Sequence, residues 1–364
     1  MPTLWTSAHR LLAVRLDNMG DVLMTTPALR ALRNSAPSRH ITLLASPAGA
    51  ALAPFIPEID ATMVLEGGPW LPGVPASPPV MTAAVDGLRQ GNFDAAIIFT
   101  VYSQNPLPAA LLCWLAGIPL ILAHCRENPY HLLSNWVAEP EPQEMVRHEV
   151  RRQLDLVGSI GATTVDEHLS FRLRPADQTA AATKLRQAGI DPERRWLVLH
   201  PGASALSRRY PAELFSVVAK QLVDLDGFQL VFTGSEAEIG LVDGIRGHLH
   251  RPLASLAGAL SLGELAAVIG GAELLVANNS GPVHIAAALG TPVVDIYALT
   301  NPQHAPWQVP NRVVYHDVPC RFCYRSVCPQ GHHACLRQLD PQQVTAAARQ
   351  LLDGGIDRAV VAPS

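Results

Sequence analysis

Lysine is nearly missing from this chain. Lys184 and Lys220 are the only two among 27 basic residues, so its cationic chemistry falls to arginine. Charge of either sign is scarce at 16%, and aromatics make up only 5%. No run of Lys or Arg exceeds two residues and the formal net charge is −4, which argues against a nucleic-acid-binding stripe. The three-glycine dinucleotide fingerprint is absent after the first strand-like segment, disfavouring a Rossmann dehydrogenase, and the absence of a Walker A sequence disfavours P-loop phosphoryl transfer. The first ten residues lack the apolar stretch of a signal peptide. The apolar run 106–123 is broken by Pro106, Pro108, Gly117 and Pro119. It therefore reads as a buried helix, Leu107 to Ala116, and a short strand, Pro119 to Ala123, rather than a membrane span. These features predict a cytoplasmic protein, with at most peripheral contact at the inner face of the cytoplasmic membrane. In a reducing cytosol the six cysteines are expected as thiols or metal ligands rather than disulfides.

What is present is 364 residues, 48% of them hydrophobic, enough for two domains with sizeable cores. Strand, loop and helix alternate: strand Leu11 to Leu16, a loop around Gly20, then a helix from Val22 to Asn34. Pro27 either kinks this helix or marks a second start with Thr26 as N-cap. Strands follow at Ile41 to Ala45 and Ala95 to Phe99, and the proline-rich stretch Gly67 to Pro79 reads as a surface loop near the first domain's ligand face. A second series opens at Trp196 to His200 and continues through strands Phe228 to Thr233, Glu273 to Ala277 and Pro292 to Tyr297. Helices intervene at Ala212 to Leu225, Glu238 to Leu249, Leu262 to Ile269, where Ser261 and Glu264 form a capping box, and Pro282 to Leu289. This alternation predicts an α/β protein of two doubly wound parallel-sheet domains, 1–175 and 176–364, facing across a cleft at the carboxyl ends of their strands.

Three strand ends carry chemistry. His200-Pro201-Gly202-Ala203-Ser204 runs into Arg208-Arg209-Tyr210-Pro211 and a helix start. Free amides, the positive end of the helix dipole and arginine forks bind phosphates at such a place, although an ordinary turn with solvated arginines fits as well. Asn279, Ser280 and Gly281 end another strand at a helix opened by Pro282, with His284 in its first turn. The alternative there is a simple Ser280 cap and a packed histidine. Thr233 and Gly234 end a third strand, after which Glu236 and Glu238 either accept sugar hydroxyls or merely favour the helix dipole. In the first domain, Asp17 and Asp21 flank Gly20 at the end of the opening strand. Cys320, Cys323, Cys328 and Cys335, with His332 and His333 among them, suit a tetrahedral structural Zn²⁺, against unligated thiols or a partial disulfide. Cys113 and Cys125 read as core.

Together these motifs resemble glycosyltransferase family 9, whose best-known members are the ADP-heptose:lipopolysaccharide heptosyltransferases. The matching segments are Val14 to Leu29, His200 to Ser204, Arg208 to Pro211, Asn278 to His284 and Ala286 to Pro292, in family order and spacing across residues 10–300. The cysteine cluster also resembles a C-terminal feature of many members. The resemblance implies a GT-B architecture, with the acceptor in the N-terminal domain and a nucleotide-diphospho-sugar, ADP-heptose by preference, in the C-terminal one. It implies inverting transfer with Asp21 as general base and no cofactor required for catalysis. The family's diphosphate-binding basic residue, usually lysine, falls on Arg208. Its acid near the donor falls on Glu238, with Glu236 close by. Its Asp-Ser-Gly motif reads Asn279-Ser280-Gly281, which removes one carboxylate from the donor site. The expected reaction moves a sugar to a hydroxyl of a lipopolysaccharide-core or other glycolipid acceptor. The alternatives are another donor or a soluble acceptor, a nucleotide-sugar 2-epimerase, or a non-catalytic sugar-nucleotide-binding protein.

Overall fold

The computed structural model describes residues 4–67, 77–225, 227–249 and 252–354. The chain divides into two compact units, Met1–Ser170 and Phe171–Ser364. The break falls just before the expected boundary, which lies where the first helix of the second unit begins.

In the first unit the elements are β1 (Arg10–Arg15), α1 (Met19–Ser35), β2 (His40–Ala45), α2 (Pro47–Ala50), β3 (Ala61–Val64), α3 (Pro78–Gln90), β4 (Ala95–Ile98), α4 (Leu107–Leu115), β5 (Leu120–Cys125), β6 (Asn135–Ala138) and α5 (Glu149–Gly158). The strands form one parallel sheet in the order β3-β2-β1-β4-β5-β6. The central strands are buried almost throughout, as a sheet covered on both faces requires, whereas the edge strands β3 and β6 alternate between half-buried and exposed residues. Val14, Ile98, Leu112 and Leu88 belong to one of the unit's apolar clusters.

Pro27 neither restarts nor ends α1, which is continuous from Met19 to Ser35. Proline has no N–H to give to the carbonyl four residues back, that of Leu23. The Thr26 hydroxyl donates to that carbonyl instead, at 2.7 Å, and accepts from the Ser170 backbone N–H at 2.9 Å. The proline-rich stretch is also shorter as a loop than expected, because Pro78 and Pro79 open α3, where proline suits the first helical positions. Residues 68–76 lie outside the described residues.

The second unit contains α6 (Pro175–Gln187), β7 (Trp196–His200), α7 (Ala212–Val223), β8 (Gln229–Phe232), α8 (Ile239–Gly247), β9 (Ala254–Ser255), α9 (Leu262–Gly270), β10 (Leu274–Asn278), α10 (Gly281–Leu289), β11 (Val293–Ile296), β12 (Asn311–Val314), α11 (Ala334–Arg337) and α12 (Pro341–Asp353). Its parallel sheet runs β9-β8-β7-β10-β11-β12, the same order as in the first unit. Leu199, Phe215, Phe232, Val276 and Ile296 share a core with Val344 and Leu351 of α12. In this order the strand sequence reverses between the first and fourth strands, and ligands settle outside the strand ends at such a switch point. That places β1 with β4, and β7 with β10, at the two candidate crevices. Among the described residues no helix is long and apolar enough to cross a membrane.

Candidate functional site

In the first unit β1 ends on Arg15, a fully buried guanidinium ringed by three carboxylates. Its Nε lies 3.0 Å from Asp17 Oδ2, and its Nη2 lies 2.9 Å from Glu149 Oε1 and 3.4 Å from Asp21 Oδ1. Burial alone would weaken the cation, but Asp17, Glu149 and Asp21 together hold it above the ordinary arginine range. Glu149, at the start of α5, is pushed up to about 7 by burial, against the pull of Arg15 and Arg152. Asp17 is raised by burial and by the charge of Asp21, while Arg15 and a hydrogen bond donated by Gln104 pull it down.

Asp21 sits in the first turn of α1, where its carboxylate accepts from the Asn18 N–H at 3.2 Å in a capping box. It is thus both a helix cap and a neighbour of Arg15. A cavity of about 620 Å³ opens at this end of the sheet. Its polar lining includes Asp17, Asn18, Ser46, Glu66, Gln104 and Asn105; Asp21 is not part of the wall. Sequence reasoning had missed Arg15 and Glu149, because they lie 134 positions apart, one at the end of β1 and the other at the start of α5, and meet only in the folded unit.

In the second unit His200 closes β7 and lies buried, its Nδ1 3.0 Å from Thr233 Oγ1 at the end of β8. Burial pushes the imidazole down to about 4, with Glu238 pulling the other way, so it is neutral at pH 7. Gly202 has a steric reason: a Cβ there would stand 2.1 Å from Glu238 Oε1, so only glycine lets that carboxylate come so close to the loop. Glu238 accepts from the Ser235 N–H at 2.8 Å and the Ser235 hydroxyl at 2.9 Å, with Arg209 at 3.9 Å. Burial works to raise it, yet the Ser235 bonds and the charges of His200 and Arg209 leave it below the usual range. The two acids differ in position: Glu238 is buried beside Gly202, and Glu236 is exposed. Gly234 also packs against Glu238, while Ser204 is exposed on the loop.

Arg208 ends a short 3₁₀ turn, Leu206–Arg208, and its Nη2 donates to Asn301 Oδ1 at 3.3 Å. Arg209 instead donates to the Ala203 carbonyl at 2.7 Å, fastening the loop. Asn278, at the end of β10, holds the same loop through the Pro201 carbonyl and the Tyr210 N–H. Ser280 occupies the N-cap position of α10, but its hydroxyl donates to the Asn278 carbonyl at 3.1 Å rather than capping the helix. Gly281 is the first residue of α10 and His284 is buried in that helix. Asn279 is buried as well. Its amide donates to Asp295 Oδ2 at 2.8 Å and to the His304 carbonyl at 2.9 Å, so the strand next door brings a carboxyl to the position where the sequence had lost one.

Cys320, Cys323, Cys328 and Cys335 are free thiols, each half-buried. Cys335 is raised by burial and by the charges of the other three, and Cys320 Sγ lies 3.7 Å from His332 Nε2. Among the described residues no group of three or more His, Cys, Asp or Glu side chains is arranged to hold a metal. The segment nonetheless has a defined place. Phe322 and Tyr324 donate backbone bonds to the Leu299 and Thr300 carbonyls, and Ser207 donates to the Ser326 and Arg325 carbonyls. The cysteine-rich chain is therefore stitched to the turn that carries Arg208.

Two doubly wound sheets, each with polar side chains gathered at its switch point, define an α/β protein. The chain belongs to glycosyltransferase family 9: that family's sequence model, described as glycosyltransferase family 9 (heptosyltransferase), matches residues 81–334. The chain is 25% identical over 359 residues to lipopolysaccharide heptosyltransferase 2 of Escherichia coli K12, covering 94% of this chain and 98% of that one. It is 32% identical over 162 residues to lipooligosaccharide heptosyltransferase 2 of Campylobacter jejuni, covering 43% of this chain and only half of that relative's length. The crystal structure of a family 9 glycosyltransferase from Veillonella parvula superposes with a TM-score of 0.79 at 23% identity, covering 95% of this chain and 98% of that one. The protein is a glycosyltransferase, and its two sheets are those of the GT-B fold.

Proposed function

We propose that the protein transfers a heptose, with inversion, from ADP-heptose to a hydroxyl of a lipopolysaccharide-core or related glycolipid acceptor at the cytoplasmic face of the membrane. The observation that carries this reading is the donor loop of the second unit. Arg208 follows β7 and the first amides of α10 follow β10, the two neighbouring strands of the switch point, and groups of this kind suit a diphosphate. The names of the relatives supply the sugar and the acceptor class. In the proposed step the Asp21 carboxylate takes the proton of the acceptor hydroxyl. The oxygen attacks the anomeric carbon from the face opposite the nucleotide, and the bond to the β-phosphate breaks. Arg208 and the α10 amides hold the charge of the departing diphosphate. The cavity beside β1 takes the acceptor. A positioned base contributes roughly 10²–10⁴-fold.

A second reading makes Asp17 the base, because Asp17 lines the cavity and carries the raised carboxyl. Asp21→Asn and Asp17→Asn decide between them. We expect at least a hundredfold loss of turnover in Asp21→Asn with near-normal melting temperature and donor binding; more than a tenth of wild-type turnover there, with Asp17→Asn inert, transfers the role to Asp17.

The four thiols at 320–335 have the donor chemistry of a structural zinc, and we propose that they hold one. Its contribution is to brace the segment against the Arg208 turn, and it takes no part in the transfer.

A further inference from the structure

Asp295 is a buried acid for which the proposed transfer step has no use. It lies on β11 opposite Ala277 of β10 and has no exposed surface. Its Oδ2 accepts from the Asn279 amide, while its Oδ1, equally buried, has no hydrogen-bond partner among the described residues. A buried carboxyl left half-satisfied is costly. Its surroundings are tied together and lead to one cation. Asn279 also donates to the His304 carbonyl, Asn301 Nδ2 lies 2.9 Å from His304 Nδ1, and Asn301 accepts from Arg208. The Tyr297 hydroxyl closes the loop by donating to the Asn301 carbonyl at 2.6 Å.

We propose that Asp295 is a positioning residue of the donor site: as a neutral acid it orients Asn279 and leaves the Arg208 charge to the diphosphate, and as an anion it competes with the diphosphate for that charge. This rests on the reading of Arg208 given above. Burial pushes Asp295 up to about 8, against Asn279 and Arg208, which pull it down. The group is therefore mostly protonated at pH 7, and raising the pH through about 8 places a negative charge within the field of Arg208. Anion affinity falls on the alkaline side and is unaffected on the acid side.

The other titratable groups are few. Tyr297 is raised out of this range, first by burial and then by the charge of Asp295. His304 faces the site from its loop, its carbonyl taking the Asn279 amide and its Nδ1 lying 2.9 Å from Asn301 Nδ2. Of the elements packed on β11, α10 brings the buried His284, α12 the exposed Arg349 and Asp353, and β12 the exposed Arg312.

The test is calorimetric titration of the whole chain with ADP between pH 7.5 and 9.5, a range above the phosphate ionisation near 6. Wild-type affinity should fall about tenfold across it. Asp295→Asn, or Asp295→Ser if the amide does not fold, should hold its affinity within about twofold over the same range, and Arg208→Ala should bind weakly without the alkaline fall. A flat wild-type profile, or an Asp295→Asn profile that still falls, overturns the role of Asp295 while leaving Arg208 as the anchor. If Arg208→Ala binds ADP as tightly as wild type, it is the donor-site reading that fails.

Discussion

Arg208 is the residue on which most of the donor reading depends. Arg208→Ala should weaken ADP binding by roughly 1.5–3 kcal/mol, the worth of a charged hydrogen bond, with turnover falling in step; unchanged affinity would remove the assignment. His200 gives a pH signature of a different sign from that of Asp295. Its folded pKa is depressed, so its contribution to stability is complete above about 6.5 and is lost as the pH falls towards 4. His200→Gln should flatten part of the acid limb of the melting-temperature profile, by roughly 2–4 °C for each 1 kcal/mol removed; an unchanged limb means that His200 ionises freely in the folded state. At this scale the sequence was legible where a side chain stands on a loop after a strand. Asp21, Arg208 and Glu238 could be singled out because glycine and helix-start residues surround them. Arg15 and Asp295 could not, since each sits on a strand among apolar residues and its partners arrive from other elements.

At the scale of elements, the buried central strands β1, β4, β7 and β10 were readable from continuous apolar runs. The edge strands β3, β6, β9 and β12 were not, because they are short and half-exposed and resemble loops. The helix α1 shows a local repair that no periodicity announces. Thr26→Val removes both the donor to the Leu23 carbonyl and the acceptor for the Ser170 N–H, and should cost about 2 kcal/mol. Thr26→Ser should cost much less. Pro27→Ala restores an N–H to the Leu23 carbonyl, so a double-mutant cycle of Thr26→Val with Pro27→Ala should show coupling of about 1 kcal/mol; strict additivity in urea unfolding contradicts the repair. The cysteine-rich segment belongs to this scale too. Protein purified under reducing conditions should carry about one zinc per chain, and chelation should weaken ADP binding as well as lower the melting temperature. A well-folded protein with less than about a tenth of that zinc rules the metal out.

At the scale of the whole molecule, the repeated strand order was predictable in kind from the alternation of strands and helices, though the edge pairing that completes each sheet was not. A thermal-shift panel of ADP-, UDP-, GDP- and TDP-sugars settles the donor: one saturating at a hundred times its Kd raises stability by roughly 2.7 kcal/mol, and a panel led by a UDP-sugar would replace ADP-heptose. The two units keep separate cores, one built on β1 and β4 and the other on β7 and β10. A multidomain chain of this kind need not melt as one cooperative block. The nucleotide then becomes a marker in calorimetry: the endotherm that moves with ADP concentration belongs to the C-terminal half, and the one that stays reports the half that carries Asp21.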